Sequence, residues 1–290
     1  MGTSIHIEMT NLARAEDRRN HMRPVIARAG FDVTFHPAFD FTEHTEDDIL
    51  ARCKREGPWG TFHTPNMAAT ISHAEAWERF LATDATHCLV MEDDIFISPD
   101  LGAWLNDLSW WPADAEIVKL ESWRAKNTKV LMEAPVSNHR GRNIQKVLSR
   151  HMGAAGYVLS RNAATKLLAS QPFDMVIDHI LFNINASKTA RHMHIYQVAP
   201  AMIVQGNEPE GGTFYMGERK RPQGMALLRQ KLKRGYYEFA YPVSTWLKLL
   251  TGKAKLEAVT YADAVASTTA PAHPTQNQNI GAAKAARPQN

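Results

Sequence analysis

Two cysteines, Cys53 and Cys88, are too few for a disulfide framework or a cysteine-rich zinc site. Cys88 falls in an apolar run, so reduced thiols of a cytosolic protein are expected. Long apolar runs are also missing, since no stretch approaches the roughly 20 residues that cross a bilayer. The segment Met1 to Asn20 turns charged at Arg14, Glu16, Asp17, Arg18 and Arg19, which suits neither a secretory signal nor an anchor. A formal net charge of +3 is too small to argue for nucleic acid as a partner. No internal repeat is visible. What is present is a chain of 290 residues with 44% hydrophobic content, enough for one large α/β domain plus extensions.

Strand-like and helix-like segments alternate, which implies a mixed, mostly parallel sheet flanked by helices. Ser4 to Met9 and Phe31 to Phe35 read as the first two strands, and Thr45 caps a helix to Arg55. Asn66 to Ala82 carries Met67, Ile71, Ala74 and Leu81 at helical spacing. A helix from Pro99 and a strand from Glu116 to Leu120 follow. Thr128 to Leu148 reads as a hairpin turning at Asn138-His139-Arg140-Gly141. Gly153 to Leu159 is a small-residue strand whose Gly153 and Gly156 suit close backbone approach better than phosphate binding. Ser160 then caps the helix Arg161 to Ala169, Met175 to Asn185 is helical, and His194 to Val204 is the last strand.

The run His87-Cys88-Leu89-Val90-Met91-Glu92-Asp93-Asp94-Ile95-Phe96-Ile97 sets three adjacent carboxylates inside an apolar, β-favouring stretch. Burying an unpaired carboxylate is costly unless it faces a cation. Strand alternation turns Glu92 and Asp94 to one side and Asp93 to the other. Two oxygen donors on one side make half a site for Mg²⁺ or Mn²⁺, completed by phosphate oxygens and water. Carboxyl ends of α/β strands are also where nucleotides bind. The same letters suit a surface turn in which Ser98 caps a helix opened by Pro99.

Composition shifts after Gly206. From Glu218 to Lys255, basic residues such as Arg219, Arg229, Lys231 and Lys233 interleave with Tyr236, Tyr237, Phe239, Tyr241 and Trp246. That pattern suits an anionic membrane surface, and equally a solvated helix packed on the domain. Beyond Asp263, the Ala, Thr, Pro, Gln and Asn content reads as a disordered tail. The expected organisation is therefore a catalytic domain over 1–206, a basic aromatic extension over 207–262 and a tail over 263–290.

The motifs form a set. Asn11-Leu12-Ala13-Arg14-Ala15-Glu16-Asp17-Arg18-Arg19 resembles the opening block of glycosyltransferase family 25, the lipopolysaccharide and lipooligosaccharide galactosyltransferase family. Ser72-His73-Ala74-Glu75-Ala76-Trp77 resembles its Ser-His helix, and Cys88 to Asp94 its apolar strand with Glu-Asp-Asp. Ile117 to Leu120, Gly153 to Ser160 and Val176-Ile177-Asp178 are similar to its later blocks, in the same order. The resemblance runs from Ile5 to Gln205. Two departures are Ala69, where many members have Gly-Cys, and a first strand made polar by Glu8 and Thr10.

The resemblance implies a GT-A type nucleotide-sugar-binding fold and inversion at the anomeric carbon, and the acidic triplet implies a metal-dependent transfer. The donor would be a UDP-sugar, most often UDP-galactose, and the acceptor a lipid-linked or surface glycan. The thiols suit a cytoplasmic location, and the membrane reading of the basic aromatic segment would place it peripherally on the inner face of the plasma membrane. Asp94 with Glu92 would hold Mn²⁺ or Mg²⁺, and Asp93 would face the ribose, the metal's waters or a backbone amide. Arg14, Arg18 and Arg19 suit phosphate contacts, or pairs with acids at an exposed helix start. Asn11 suits the uracil edge or a helix cap. His73 lies on the apolar stripe Ala69, Trp77, Phe80, so a core role stands beside a donor contact. For the base that takes the acceptor proton, Asp178 among Val176, Ile177, Ile180 and Leu181 comes first and Glu121 second, with a cap or ion pair as the structural role of Asp178. Histidines 192 and 194 suit a further metal ligand or a structural role. A phosphohydrolase or nucleotidyltransferase using the same acids, and a non-catalytic glycan- or membrane-binding protein, are the other readings of these residues.

Overall fold

The computed structural model describes residues 4–123, 129–206, 224–239 and 243–263. The first half runs β1 (Ile5–Asn11), α1 (Glu16–Ala29), β2 (Thr34–Pro37), α2 (Glu46–Arg52), a small hairpin of β3 (Glu56–Gly57) and β4 (Gly60–Thr61), and α3 (Thr64–Leu81). Then come β5 (His87–Glu92), β6 (Ile95–Ile97), α4 (Leu101–Leu105), β7 (Ile117–Lys119), β8 (Glu121–Ser122) and β9 (Lys129–Glu133). The second half runs β10 (Ser137–His139), β11 (Arg142–Lys146), β12 (Gly156–Ser160), α5 (Arg161–Leu168), α6 (Ile177–Phe182), β13 (Ile195–Ala199) and β14 (Ile203–Gln205). Helices α7 (Gly224–Phe239) and α8 (Val243–Leu250) and strand β15 (Ala254–Ala258) close it.

Eight strands form the central sheet in the order β10-β11-β13-β7-β12-β5-β1-β2. Six of them run one way, and β11 and β12 run against them. This is the α/β class expected, with a mixed sheet mostly parallel in direction. Alternation along β5 divides the core. Cys88 and Val90 join Trp77 and Tyr157 on one face, while Leu89 and Met91 join Trp104 and Val158 on the other. Burying each such large apolar side chain stabilises the fold by about 1.5–3 kcal/mol. Both thiols are free and buried, and burial pushes Cys53 up to about 12, which suits inert core residues.

Local chemistry explains most boundaries. Thr45 and Asp48 form a reciprocal capping box on α2, and Gly30 ends α1 with a left-handed φ of 75°. Ser160 caps α5 through the Ala163 amide. The hairpin β10–β11 turns at Arg140 and Gly141, both at positive φ. Other expectations are corrected. The second strand is Thr34–Pro37, because pairing with Glu8 to Asn11 of β1 fixes its place; Phe31 and Val33 pack on the core before it begins. Ser98 does not cap a helix. Its hydroxyl bonds Asp100 and the carbonyl of Asp263 and receives Nη2 of the buried Arg142 at 2.9 Å, so α4 begins only at Leu101. His194 to Val204 is two strands, and after Pro200 the chain leaves the main sheet for the small sheet β6-β14-β8.

The last part of the segment after 206 returns to the body. β15 pairs antiparallel with β9, and Ser122 donates to the carbonyl of Val259 at 2.7 Å. Arg142 donates to the carbonyls of Pro200, Ala201 and Ala262 and so ties this return to the body. The tail expected from 263 lies, after Asp263, outside the described residues, as do 207–223 of the basic extension. No helix among the described residues is long and apolar enough to cross a membrane.

Candidate active site

The carboxyl ends of β1 and β5 open into a cavity of about 1350 Å³, large enough for a nucleotide sugar and part of an acceptor. Glu92, Asp93, Asp94, Arg18, His73, Asp178 and Gln205 line it. The chain bends at Asp93 and Asp94 before resuming as β6, so the three acids do not alternate as a straight strand would. All three reach the cavity, and their partners differ.

Asp93 is held by Asn11 Nδ2 at 2.6 Å and Arg18 Nη1 at 2.9 Å. Glu92 receives Gln205 Nε2 at 2.9 Å and faces His73 Nε2 at 3.4 Å. Those contacts with His73 and Gln205 outweigh the effect of burial and hold Glu92 below the usual carboxylate range. Among the described residues the Asp94 carboxylate has only Arg18, at 3.8 Å, and its Oδ1 is buried without a hydrogen-bond partner. Burial, then the charge of Glu92, push Asp94 up to about 7.

His73 is both core residue and site residue. Trp77 Nε1 donates to the Tyr157 hydroxyl oxygen at 2.9 Å, and the same hydroxyl is 2.9 Å from His73 Nδ1. One hydrogen assignment satisfies the chain: Tyr157 O–H donates to Nδ1, which leaves Nε2–H facing Glu92. The apolar stripe of α3 thus buries the ring and aims its one free edge at the acid.

The basic block separates into roles. Arg18 lines the cavity, whereas Asn11, Arg14 and Arg19 do not. Arg19 donates through Nε and Nη2 to Asn11 Oδ1 at 3.1 and 3.0 Å, orienting the amide that holds Asp93. Arg14 pairs with Asp40 at 2.6 Å. Asn11 also donates to the carbonyl of Ala15 at 3.1 Å, joining the strand end to the helix start.

Of the two acids considered as base, Asp178 lines the cavity in the first turn of α6, and its Oδ1 accepts the His179 amide at 2.9 Å. Glu121 does not line the cavity; it is fully buried behind Gly153, bonded by Lys119 Nζ at 3.1 Å and the Ala155 amide at 2.9 Å. Burial, opposed by Lys119, raises it to about 7. The sequence puts Asp178 first and Glu121 second, and only Asp178 borders the cavity. Gly153, at φ 82°, is required here: a Cβ would sit 2.2 Å from Glu121 Oε1. Gly156 likewise lets Ile203 approach. His194 pairs with Asp114 at 2.6 Å outside the cavity.

Several cavity residues escaped sequence reasoning. Trp59 sits at the β3–β4 turn, tilted over His179 at 4.5 Å, with the Arg150 guanidinium 5.3 Å from its ring. The string Gly57-Pro58-Trp59-Gly60 marks a turn and was the available signal. Gln205 had none, being a polar residue in an apolar strand; nor had Lys119, which lies behind the cavity and not in its lining. Lys119, fully buried, donates to the carbonyls of Met152 and Gly153 and lies 4.4 Å over Phe182.

The donor set fits a hard divalent cation. It consists of oxygens, one of them buried and unmatched, under excess negative charge. Protein atoms alone do not close the site. Among the described residues, three His, Cys, Asp or Glu ligand atoms lie within 4.8 Å of one another only at His6, Glu8 and His36. Glu92 and Asp94 would supply two ligands, with phosphate and water as the rest.

Comparison with known proteins agrees with the motifs. The chain is 27% identical over 205 residues to the lacto-N-neotetraose biosynthesis glycosyltransferase LgtE of Neisseria gonorrhoeae, covering 67% of this chain and 72% of that one. It is 28% identical over 245 residues to the lipooligosaccharide biosynthesis protein lic2B of Haemophilus influenzae, covering 78% and 84%. A solved glucosyl-3-phosphoglycerate synthase from Mycobacterium tuberculosis, in complex with Mn²⁺, UDP and phosphoglyceric acid, covers 90% of this chain and 88% of its own. Its TM-score is 0.31 at 13% identity, too distant to assign a ligand here. Residues 4–181 match the model of glycosyltransferase family 25 (LPS biosynthesis protein), and the chain belongs to that family of glycosyltransferases.

Proposed function

We propose that the chain transfers galactose, with inversion, from UDP-galactose to a glycan acceptor of lipooligosaccharide or lipopolysaccharide, in a GT-A arrangement. The observation that carries this reading is the acidic turn in the cavity, with Asp94 Oδ1 buried and unmatched among the described residues. The names of the relatives LgtE and lic2B point to the class of acceptor. Mn²⁺ or Mg²⁺ on Asp94 and Glu92 would neutralise the diphosphate as it leaves. Arg18 steers phosphate to the same place while holding Asp93. Trp59 lines the cavity and would border a sugar ring there. Asp178 takes the acceptor hydroxyl's proton as that oxygen bonds to the anomeric carbon and the bond to UDP breaks.

Approach to the acceptor is from the inner face of the cytoplasmic membrane. Helix α7 exposes Met225, Leu228, Leu232 and Tyr236 at helical spacing beside Arg229, Lys231 and Lys233, and α8 exposes Trp246, Leu247 and Leu250. Apolar side chains flanked by cations suit an anionic bilayer. The testing experiment is a donor screen. UDP-galactose with Mn²⁺ raises the melting temperature, and UDP-glucose, UDP-GlcNAc and a GDP-sugar do so less. Equal shifts with every donor, or full transfer in EDTA, would sink the reading.

A further inference from the structure

The polar first strand has a consequence outside the cavity. His6 and Glu8, two apart on β1, project to one face of the sheet. His36 joins them from β2, where it lies in register with Thr10. Glu8 is fully buried, yet His6 and His36 each keep a quarter of their side chains in solvent. Arg79 takes Glu8 Oε2 through Nη2 at 2.9 Å and Nε at 3.1 Å, with Nε also 3.3 Å from Oε1. Oε1 faces the two imidazoles, 2.6 Å from His6 Nε2 and 3.6 Å from His36 Nε2. The three ligand atoms all lie within 4.8 Å of one another. The His6 ring stacks over Phe80, which fixes its plane.

We propose that His6, Glu8 and His36 bind Zn²⁺, in a second metal site distinct from the acidic turn. Two imidazole nitrogens and one carboxylate oxygen are the ligand chemistry of a borderline cation, and water from the exposed side fills the fourth position. Arg79 on Oε2 is the outer partner that orients the ligating carboxylate. Mg²⁺ and Mn²⁺ favour the all-oxygen turn, so the two sites separate metals by ligand type. The site lies outside the cavity lining, but it ties β2 to β1 just before Ala38, Phe39 and Phe41 enter the cavity wall. Its role is to fix that edge strand.

The test uses the untagged full chain stripped with EDTA and titrated with Zn²⁺ alone. Calorimetry should show an equivalent bound and the melting temperature should rise. Co²⁺ should give the visible bands of a four-coordinate site, bleached by Zn²⁺. His36→Ala and His6→Gln should each lose that equivalent, while Asp94→Asn keeps it. Should His36→Ala fail to fold, His36→Gln answers the same question. No Co²⁺ bands in folded wild type, or wild-type Zn²⁺ binding in both histidine variants, would overturn the proposal and leave two imidazoles hydrogen-bonded to Glu8.

Discussion

Asp93 and Asp94 are neighbours in the chain and opposite in circumstance. Asn11 and Arg18 engage both oxygens of Asp93, whereas Asp94 keeps one buried oxygen without a donor among the described residues. The first acid is built into the wall, and in the proposed function the second would take a ligand. Asp94→Ala should therefore abolish transfer and Mn²⁺-dependent UDP binding while leaving the melting temperature at or above wild type. Removing an unmatched buried charge relieves the fold. Asp93→Ala should instead cost about 3 kcal/mol in urea unfolding, the lower end for a broken buried pair because Arg18 keeps some solvent. If both variants unfold alike, the division between them is wrong.

Asp178 acts late if it is the base. An acid that only activates the acceptor matters for turnover and hardly for donor affinity. Asp178→Asn should keep UDP-sugar affinity and melting temperature while kcat falls by about 10²-fold or more. A lowered melting temperature with kcat retained in the folded fraction would make it a structural residue of α6.

Glu121 gives the apo protein a pH signature. Its folded pKa of about 7 lies above the unbound value of 4.5, so the folded state holds a proton that the unfolded chain has released. The stabilisation is complete below the unfolded value and is lost as pH rises through about 7. Glu121→Gln should flatten that fall in melting temperature across the window. Parallel curves for variant and wild type would place the slope on other groups.

The exposed faces of α7 and α8 predict vesicle binding that weakens with salt. Leu232→Glu with Leu250→Glu should reduce co-sedimentation with anionic vesicles at least tenfold and leave turnover on a soluble acceptor unchanged. Retained sedimentation would show that these side chains do not meet lipid.

The sequence made the two-faced sheet legible because β5 and β12 alternate between two packed layers, and each face needs an apolar partner. It made the acidic turn legible because three carboxylates in an apolar run have few other uses. It did not reveal that Asn11 and Arg19 serve Asp93 from behind, since an amide beside arginines reads the same whether it meets a ligand or a neighbour. It ranked Asp178 ahead of Glu121 without showing how differently the two are placed. That difference rests on Lys119 and Gly153, whose packing against Glu121 is a matter of tertiary contact. Ser98 misled because capping letters preceded a helix while a buried arginine from a distant strand claimed the hydroxyl.

Leu227 of α7 borders the cavity, while Leu228 and Leu232 on the same helix point outward. A helix with one edge at the substrate and the other at a bilayer would change the dimensionality of the search for acceptor. A glycan anchored in that bilayer would meet the enzyme by lateral diffusion, at an effective concentration set by surface density. Turnover on such an acceptor would then follow its mole fraction in the membrane, and diluting it with inert anionic lipid would slow the enzyme at constant bulk concentration.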